Sequence, residues 1–464
     1  MSFLDKDKLI AGDCFTSTEA MDNLTILCDD FGSRFGGTAG EKQAAEFLKA
    51  KLESYGLTNV QMEPFEYTGW IRGTTTLEII EPIQKVIPCI SLPHSPPANV
   101  TAELYDAKDG APSTFADDDE DMSGKVVLAD SQTYPTGSKR WVHRNEKYGR
   151  SMLNDAKAFI FKNHYPAYGP ATGGIGHKGK GAIIPGISVS YEDGSFLQRL
   201  VKKHGKVVIK IDTTDEIRPM TSWNITGDIP GNELSDQIVM LGSHYDGHDI
   251  SQGAQDPASG AVAVLETARL LITHAGKLPC TVRFALWGVE EIGLIGSYEY
   301  ANRHAAEMQN IRFYFNMDGA GSVKNKGVNL NEWSDIEAMV LDWKEDIALD
   351  FKTSQSVHAH SDHYPFLLRG VPTGGLESVP KSTGGRGFGH TRYDTLDKVA
   401  VRELQDAAHL ASLIAMRVAS VPADEWPATH RTAAEVDDLL SLPEYNEVAE
   451  FETMMDDYYK SKGM

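Results

Sequence analysis

The chain has 464 residues, of which 41% are hydrophobic, and a formal net charge of −22. This length exceeds one ordinary hydrophobic core and predicts two or three domains of globular composition. The negative charge argues against a nucleic-acid partner, because phosphates would be repelled. The four cysteines are widely spaced and form no CxxC pair, so they indicate neither a zinc ribbon nor a disulfide scaffold.

The amino-terminal residues are polar and lack the apolar stretch of a secretory signal. No apolar run approaches the length of a membrane span. The sequence is therefore expected to be a cytoplasmic protein without a membrane partner.

The first 67 residues predict two helices and a strand. Apolar residues have helical spacing over residues 16–37 and again over 39–57. The stretch 60–70 alternates enough to predict a strand. The apolar face of the second helix consists of Ala45, Phe47, Leu48, Leu52 and Tyr55.

Residues 68–215 have a different texture. Short β-like runs alternate with loops rich in proline and glycine, which predicts a separate β-rich module. The acidic run at 117–121 predicts an exposed turn. This module shows no catalytic constellation of its own.

Alternating strands and helices are predicted from residue 216 to residue 418. The strands, at 237–243, 281–287 and 311–317, are almost continuously apolar, which is typical of a sheet covered on both faces. Helical patterns at 260–274 and 292–308 lie between them. The pattern predicts an α/β fold with a layered sheet. The acidic extension at 419–464 is helix-prone and has no predicted chemistry.

Polar residues follow each of these strands, where function collects in α/β sheets. Taken singly, each has an ordinary explanation: Asp256 resembles a helix N-cap, and His390 resembles an inert loop histidine. As a set of histidines and carboxylates in glycine-rich loops, they predict a metal site. The set comprises His244, Asp246, Asp256, Glu290, Glu291, Asp318 and His390.

Imidazole and carboxylate donors favour zinc, and five ligands exceed the three that one catalytic zinc takes from protein. Two metals sharing a carboxylate, about 3.5–4 Å apart, explain the number of ligands. Asp246 can accept the other ring N–H of His244 and orient it. One of the adjacent residues Glu290 and Glu291 is then a ligand, and the other is a general base.

The motifs HYD, QDPASG, VEEIGLIGS, NMDG, HSDHYPF and GHTRYDTLD, in this order, resemble those of the co-catalytic zinc exopeptidases. That family includes leucyl aminopeptidases and glutamate carboxypeptidases. The resemblance covers residues 216–418, and residues 1–67 fit the same catalytic domain. It implies a mixed, mostly parallel sheet flanked by helices. The insert at 68–215 resembles a protease-associated domain.

The resemblance also implies the role of each residue. His244 and Asp318 would bind one metal, and Glu291 and His390 the other. Asp256 would bridge the two metals. Glu290 would be the general base in the hydrolysis of a terminal peptide bond. A homodimer with two zinc ions per chain, replaceable by cobalt or manganese, and a peptide substrate are expected.

One departure from the family pattern leaves the direction of attack open between an aminopeptidase and a carboxypeptidase or dipeptidase, and a second concerns the oxyanion. Asp256-Pro257 stands where many aminopeptidases of the family have Asp-Asp, whereas the glutamate carboxypeptidase branch has Asp-Pro. In place of a tyrosine that helps to hold the oxyanion in some aminopeptidases, this chain offers His358 and His360 as substrate-binding donors. A carboxypeptidase needs a cationic group, for which the candidates are Arg369, Arg386 and Arg392.

Two other functional classes compete with an exopeptidase. A receptor-like relative would be expected to lose ligands, but the full set is present. A glutaminyl cyclase-like acyltransferase would hold a single zinc. The presence of both His244 and Asp318 beside Glu291 and His390 favours two metals.

Overall fold

The computed structural model describes residues 2–116, 121–321, 326–344, 346–347, 349–378 and 387–464. Within these residues the chain forms two eight-stranded sheets flanked by helices. The strands are β1 Thr58–Ile71, β2 Thr75–Glu81, β3 Lys85–Ile87, β4 Cys89–Ser91, β5 Ala98–Asp106, β6 Val126–Asp130, β7 Ala158–Lys162, β8 Gly186–Val189, β9 Val208–Thr213, β10 Glu216–Ile229, β11 Leu234–His244, β12 Cys280–Trp287, β13 Ile311–Asn316, β14 Lys326–Asn329, β15 Lys352–Ser354 and β16 Thr373–Ser378.

The helices mostly lie between strands or at the two ends of the chain. They are α1 Phe3–Cys14, α2 Glu19–Thr25, α3 Ala39–Ser54, α4 Pro112–Phe115, α5 Arg144–Leu153, α6 Tyr191–His204, α7 Ser259–His274, α8 Ile295–Arg303, α9 Ser334–Lys344, α10 Tyr364–Leu367, α11 Val401–Val418, α12 Ala433–Leu440 and α13 Asn446–Ser461. In the described part of the chain, no helix is both long and apolar enough to cross a membrane.

The first sheet has the strand order β1-β10-β12-β11-β13-β16-β14-β15. Its central strands β12, β11, β13 and β16 are parallel, whereas β1 and β10 at one edge are antiparallel. Successive residues of β11 face opposite sides: Val239 and Leu241 enter the core beneath α7 and α11, while Ile238 and Met240 enter the core beneath α8. The predicted mixed, mostly parallel sheet covered on both faces is confirmed.

Most predicted elements occur near their predicted positions, with three differences. The helix predicted over residues 16–37 is shorter, because it comprises only α2 and a π-helical turn at Ile26–Asp30. The polar segment Phe3–Cys14, which we did not predict to be helical, forms α1 with Ser2 as its N-cap. The helix forms because Ile10 and Cys14 are buried in the core. This packing stabilises a segment whose own apolar spacing is too weak to predict a helix. The helix predicted from residue 292 begins only at Ile295, because the chain first makes a turn after β12.

The second sheet lies within the predicted insert and has the order β3-β2-β9-β5-β6-β7-β8-β4. The insert also contains α5 and α6, so it is an α/β module rather than a purely β one. The predicted limit at 68 falls inside β1, and the limit at 215 immediately precedes β10. Most of the predicted acidic turn, residues 117–120, lies outside the described residues. The resemblance of the insert to a protease-associated domain stays a prediction.

The carboxyl-terminal extension is helical and is packed against the insert. Phe451, Met455 and Tyr459 of α13 share an apolar core with Tyr148 and Phe159 of the insert. Burying three large side chains in one core contributes several kcal/mol to this docking, at about 1.5–3 kcal/mol each. The extension is thereby joined to the insert through a shared core.

Candidate metal centre

The predicted site residues meet at the carboxyl edge of the first sheet. Strand β11 ends at His244, β12 is followed by Glu290 and Glu291, and β13 is followed by Asp318. Because these strands are parallel neighbours, their ends lie side by side. The sheet topology therefore brings together groups that are far apart in sequence.

The turn that carries the two glutamates is held by Asp246. Val289 has φ of 58°, a conformation that is unusual for a β-branched residue. The Asp246 carboxylate accepts hydrogen bonds from the backbone N–H groups of Glu290, at 2.9 Å, and Glu291, at 3.3 Å. These two bonds fix the backbone of the turn and direct both glutamates toward the site.

One cluster of donor atoms consists of His244, Asp256 and Asp318. The Nε2 atom of His244 lies 3.3 Å from Oδ1 of Asp318 and 3.5 Å from Oδ1 of Asp256. The ring Nδ1 of His244 is 3.1 Å from the backbone oxygen of Asp246 and 3.5 Å from its carboxylate. The backbone carbonyl of Asp246, more than the predicted carboxylate, therefore accepts the ring N–H and leaves Nε2 as the donor to a metal.

A second cluster lies on the other side of Asp256. The Nε2 atom of His390 is 3.3 Å from Oδ2 of Asp256 and 3.1 Å from Oε2 of Glu291. Asp256 therefore directs one carboxylate oxygen toward each cluster, as a bridging ligand would. The Asp256–Pro257 peptide bond is cis.

The two clusters fit metal ions of the zinc type. A tetrahedral site with bonds of about 2.0–2.1 Å places neighbouring ligand atoms about 3.3–3.4 Å apart, which matches the separations in both clusters. Within the described residues, Nε2 of His244 and Oε1 of Glu291 are buried and have no hydrogen-bond partner. Buried polar atoms of this kind are costly unless a ligand satisfies them.

The electrostatics of the site also favour cations. Burial, together with the charges of Asp362 and Glu291, raises the pKa of Glu290 well above its ordinary value. Burial acts to lower the pKa of His244, but the carboxylates of Glu290 and Asp318 outweigh it and raise that pKa. Several buried anions at one point repel each other unless positive charge is present. A pair of divalent ions supplies that charge.

Glu290 belongs to neither cluster but lies beside them. Its Oε2 is 3.8 Å from Nε2 of His244, and its side chain is 11% exposed. It also lines an open cleft of about 800 Å³ together with Glu291 and His390. A carboxylate next to the metals and open to the cleft has the position of a general base.

His248 is a site residue that the sequence reasoning missed. It is buried, and its Nε2 lies 2.9 Å from Oε2 of Glu291. Burial lowers its pKa to about 4, so the ring is neutral and suited to hold a ligand carboxylate or to bind a metal itself. His248, Glu291 and His390 each offer an atom within 4.8 Å of the others. In the sequence, the only indication that His248 belongs to the site is its position four residues after His244.

Asp394 is a second residue that the sequence reasoning missed. Its carboxylate accepts hydrogen bonds from the backbone N–H groups of Gln255, at 2.7 Å, and Asp256, at 3.1 Å. Burial raises its pKa to about 7. Asp394 thus holds the backbone of the bridging residue, as Asp246 holds that of the glutamates. It lies in the motif GHTRYDTLD, in which the sequence predicts a role only for the histidine, His390.

The two histidines predicted to bind substrate have different surroundings. His360 lines the cleft and stacks on His143 of the insert, with ring centroids 4.0 Å apart. His358 lines a neighbouring pocket with Tyr445 instead. His360 is therefore placed to meet a substrate in the cleft, and the structure does not bring His358 to the same cleft.

Two of the three candidate arginines for a substrate carboxylate, Arg369 and Arg392, are not among the described residues that line the cleft. Arg369 donates to the backbone oxygen of Pro365, at 2.8 Å, and to the side chain of Asn302. Arg392 is exposed and packs against the ring of Tyr393. Arg386 lies outside the described residues.

Comparison with known proteins shows that the part of the chain that carries this site is similar to a family of peptidases. Residues 224–415 match the model of peptidase family M28. Carboxypeptidase Q of Bos taurus is 25% identical over 413 residues, which span 86% of this chain and 85% of that protein. Leucine aminopeptidase 2 of Trichophyton equinum is 28% identical over 388 residues, which span 80% and 73% of the two chains.

Solved structures share the fold over almost the whole chain. A peptidase M28 precursor from Shewanella amazonensis superposes with a TM-score of 0.77 at 22% identity, covering 93% of this chain and 98% of that one. A zinc aminopeptidase from Bacillus subtilis gives a TM-score of 0.68 at 24% identity, covering 88% and 98%. The alignment therefore includes both sheets rather than the catalytic one alone.

Proposed function

Because residues 224–415 match the model of peptidase family M28, we propose that the chain is a two-zinc exopeptidase, and specifically an aminopeptidase that releases amino-terminal residues from peptides. The observation that carries the proposal is the position of Asp256. One of its oxygens lies beside His244 and the other beside His390, and Glu290 lies next to the His244 cluster.

The proposed ligands divide evenly between the two metals. His244 and Asp318 would hold one ion, Glu291 and His390 would hold the other, and Asp256 would contribute to both. Mixed imidazole and carboxylate donors suit zinc, and cobalt or manganese can occupy the same donors. A structural relative from Bacillus subtilis is a zinc aminopeptidase, which supports the choice.

The bound ions would supply Lewis acidity, which polarises the substrate carbonyl and lowers the pKa of the attacking water. The chain's own contribution is centred on Glu290. Its carboxylate takes the proton from the water that attacks the carbonyl, and then gives that proton to the leaving amine. The hydrogen bond from its backbone N–H to Asp246 keeps the residue in place during both transfers.

The charges in the cleft support attack from the amino end. The lining includes Arg144 and Lys178, but Arg144 donates to backbone oxygens and Lys178 to the carboxylate of Asp456, at 2.7 Å. The carboxylate of Glu452 also lines the cleft. A free substrate ammonium thus meets an anion, whereas a free carboxylate meets cations that already have protein partners.

A carboxypeptidase or dipeptidase remains the alternative, and one observation favours it. The pair Asp256-Pro257 follows the glutamate carboxypeptidase pattern, and Carboxypeptidase Q of Bos taurus aligns with 86% of this chain. The two proposals share the metal centre and the general base. They differ in which end of the peptide the cleft receives.

Release of 4-nitroaniline from aminoacyl anilides by the zinc-loaded protein tests the proposal. Free-amine anilides should be cut and amino-blocked ones left intact, and Glu290→Gln should lower kcat by roughly 10²–10⁴-fold while retaining both metals. Glu46→Gln, an exposed change on α3, is the matched control and should have full activity. Cleavage restricted to substrates with a free carboxylate would replace the aminopeptidase with the carboxypeptidase or dipeptidase.

A further inference from the structure

A short segment of the insert, Thr172–Gly174, contacts both loops that carry the proposed ligands of the second metal. The backbone N–H of Thr172 donates to the backbone oxygen of His390 at 2.8 Å. The backbone N–H of Gly174 donates to the backbone oxygen of Glu291 at 3.3 Å. The insert is thus joined to the backbone of two ligands that come from different parts of the catalytic sheet.

The same segment also contacts the ring of His390. Nδ1 of His390 lies 3.1 Å from the backbone oxygen of Thr172, closer than to the guanidinium of Arg144, at 3.4 Å. Because a carbonyl oxygen can only accept, the shorter contact assigns the proton to this nitrogen. The other nitrogen, Nε2, is then unprotonated and directed toward Asp256 and Glu291. A hydrogen bond of this kind fixes the tautomer and the orientation of a metal-binding histidine. In this protein the insert supplies it.

Arg144, the first residue of α5, holds the segment in place. Its guanidinium donates to the backbone oxygens of Gly174, at 3.0 Å, and Thr172, at 3.2 Å. The residue is only 8% exposed. A buried guanidinium bound to two carbonyls restricts the segment between them.

Glycine is required where the segment passes Arg144. Gly173 has φ of 135°, and a Cβ at this position would lie 2.1 Å from the guanidinium. Substitution of Gly173 by alanine would therefore displace Arg144 or the segment itself. The variant gives a second way to disturb the same contact without removing the arginine.

The first metal cluster is held from within the catalytic part of the chain. The ring of His244 is bound by the backbone oxygen of Asp246 at 3.1 Å. The carboxylate of Asp318 accepts a hydrogen bond from Oγ of Ser361 at 2.9 Å. The two clusters therefore differ in what positions them.

We propose that Thr172–Gly174 and Arg144 are positioning residues of the second metal site, so that the insert controls how tightly the Glu291–His390 cluster holds its ion. The inference rests on the proposed two-metal function and deepens it. Arg144 acts through the backbone of the segment and through its own contact with the ring of His390, where a guanidinium nitrogen lies 3.4 Å from Nδ1. The His244–Asp318 cluster keeps its affinity when the segment is disturbed.

The test is a zinc titration of the full-length, metal-free protein against a chromophoric chelator, which reports the number of sites and their dissociation constants without substrate. Arg144→Met and Gly173→Ala should each weaken one site by roughly 10- to 100-fold and leave the other unchanged. Arg140→Met is the matched control, because Arg140 is also an insert arginine but binds Glu146 and Glu447. Arg140→Met should retain both affinities.

Unchanged affinities in both test variants, or equal weakening of the two sites, would overturn the inference. Circular dichroism and thermal melting of each variant establish that the fold is retained, and Gly173→Ala serves if Arg144→Met does not fold. Fewer than two ions bound by the unaltered protein would contradict the proposed function. The number of zinc ions bound therefore tests the proposed function. The ratio of each variant's zinc dissociation constant to that of the unaltered protein tests the role of the insert.

Discussion

The carboxylate of Asp246 accepts a hydrogen bond from the backbone N–H of Glu290 at 2.9 Å. Its other oxygen accepts from the next residue, Glu291, at 3.3 Å. A single side chain thus positions the proposed general base and a proposed ligand at once. The two glutamates have different proposed roles because the turn directs Glu291 toward the His390 cluster and leaves Glu290 beside the cleft.

Replacement of Asp246 by asparagine should lower both metal affinity and kcat. Asparagine has only one acceptor oxygen, so one of the two backbone N–H groups would face an amide N–H instead. We expect a loss of roughly 10- to 100-fold in kcat or in zinc affinity, as found for residues that support metal ligands. Steady-state kinetics at saturating zinc and a chelator titration measure the two effects separately. Full activity and full affinity in Asp246→Asn would contradict the role assigned here.

Asp256→Asn and Asp318→Asn should differ in how many metals they weaken. Asp256 has an oxygen beside each cluster, whereas Asp318 approaches only His244. Asp256→Asn should therefore weaken both zinc sites, and Asp318→Asn only one. Zinc content after dialysis against a graded series of chelator concentrations distinguishes them. A bridging role for Asp256 is supported if Asp256→Asn lowers the zinc affinity of both sites to a comparable extent while Asp318→Asn lowers mainly one. The same loss of zinc in the two variants would argue against a bridge.

The strand-end residues could be predicted from the sequence because parallel strands end at a common edge. His244, Glu291 and Asp318 follow apolar runs that are easily recognised, and the runs must be neighbours in the sheet for the site to form. Asp256 and His390 come from loops; their residue types added them to the predicted set, but their division between the two metals required the family resemblance. The apolar pattern specifies the scaffold, whereas loop conformation needs tertiary contacts.

The groups that support the ligands were not accessible to the same reasoning. Asp394 and His248 act through backbone N–H groups or through another side chain, and neither contact leaves a spacing rule in the sequence. Thr172 contributes through its backbone oxygen, which any residue possesses. Arg144 is about 246 positions from His390, and only the packing of the insert against the catalytic sheet brings them together.

Glu41 should make the protein less stable as the pH rises. It is fully buried on α3, accepts a hydrogen bond from the backbone N–H of Gly37, and also contacts Ser222. Burial raises its pKa from 4.5 to about 8. The folded state therefore keeps a proton that the unfolded chain loses above pH 4.5, and stability present below that pH is lost progressively up to about pH 8.

Replacement of Glu41 by glutamine should remove this dependence. The free energy of unfolding of the variant, minus that of the parent, should increase by at most about 1.4 kcal/mol per pH unit between the two pKa values. Urea denaturation of both metal-free proteins at intervals from about pH 5 to about pH 8 measures the difference. Glu46→Gln, exposed on the same helix, controls for the loss of a charge. Parallel curves for Glu41→Gln and the parent would show that Glu41 is ionised in the folded state.

Glu452, on α13, should contribute to the binding of substrates with a free amine. Its carboxylate lines the cleft, and burial raises its pKa to about 7, with Lys178 opposing and Asp456 and Glu146 adding to the shift. His177, whose Nδ1 lies 3.7 Å away, also faces it. The carboxylate is thus largely ionised at pH 8 and largely protonated at pH 6.

Glu452→Gln should therefore raise KM for free-amine anilides at pH 8 by about 2- to 5-fold, the effect of one partly exposed ion pair. The ratio of variant to parent KM should approach one at pH 6, where the parent residue is neutral, and kcat should change little at either pH. Glu450→Gln, on an exposed position of α13, is the matched control. A KM increase of equal size at both pH values would mean that Glu452 acts through packing and not through its charge. An unchanged KM at pH 8 would remove α13 from the recognition of the substrate amine and would weaken the case for attack from the amino end.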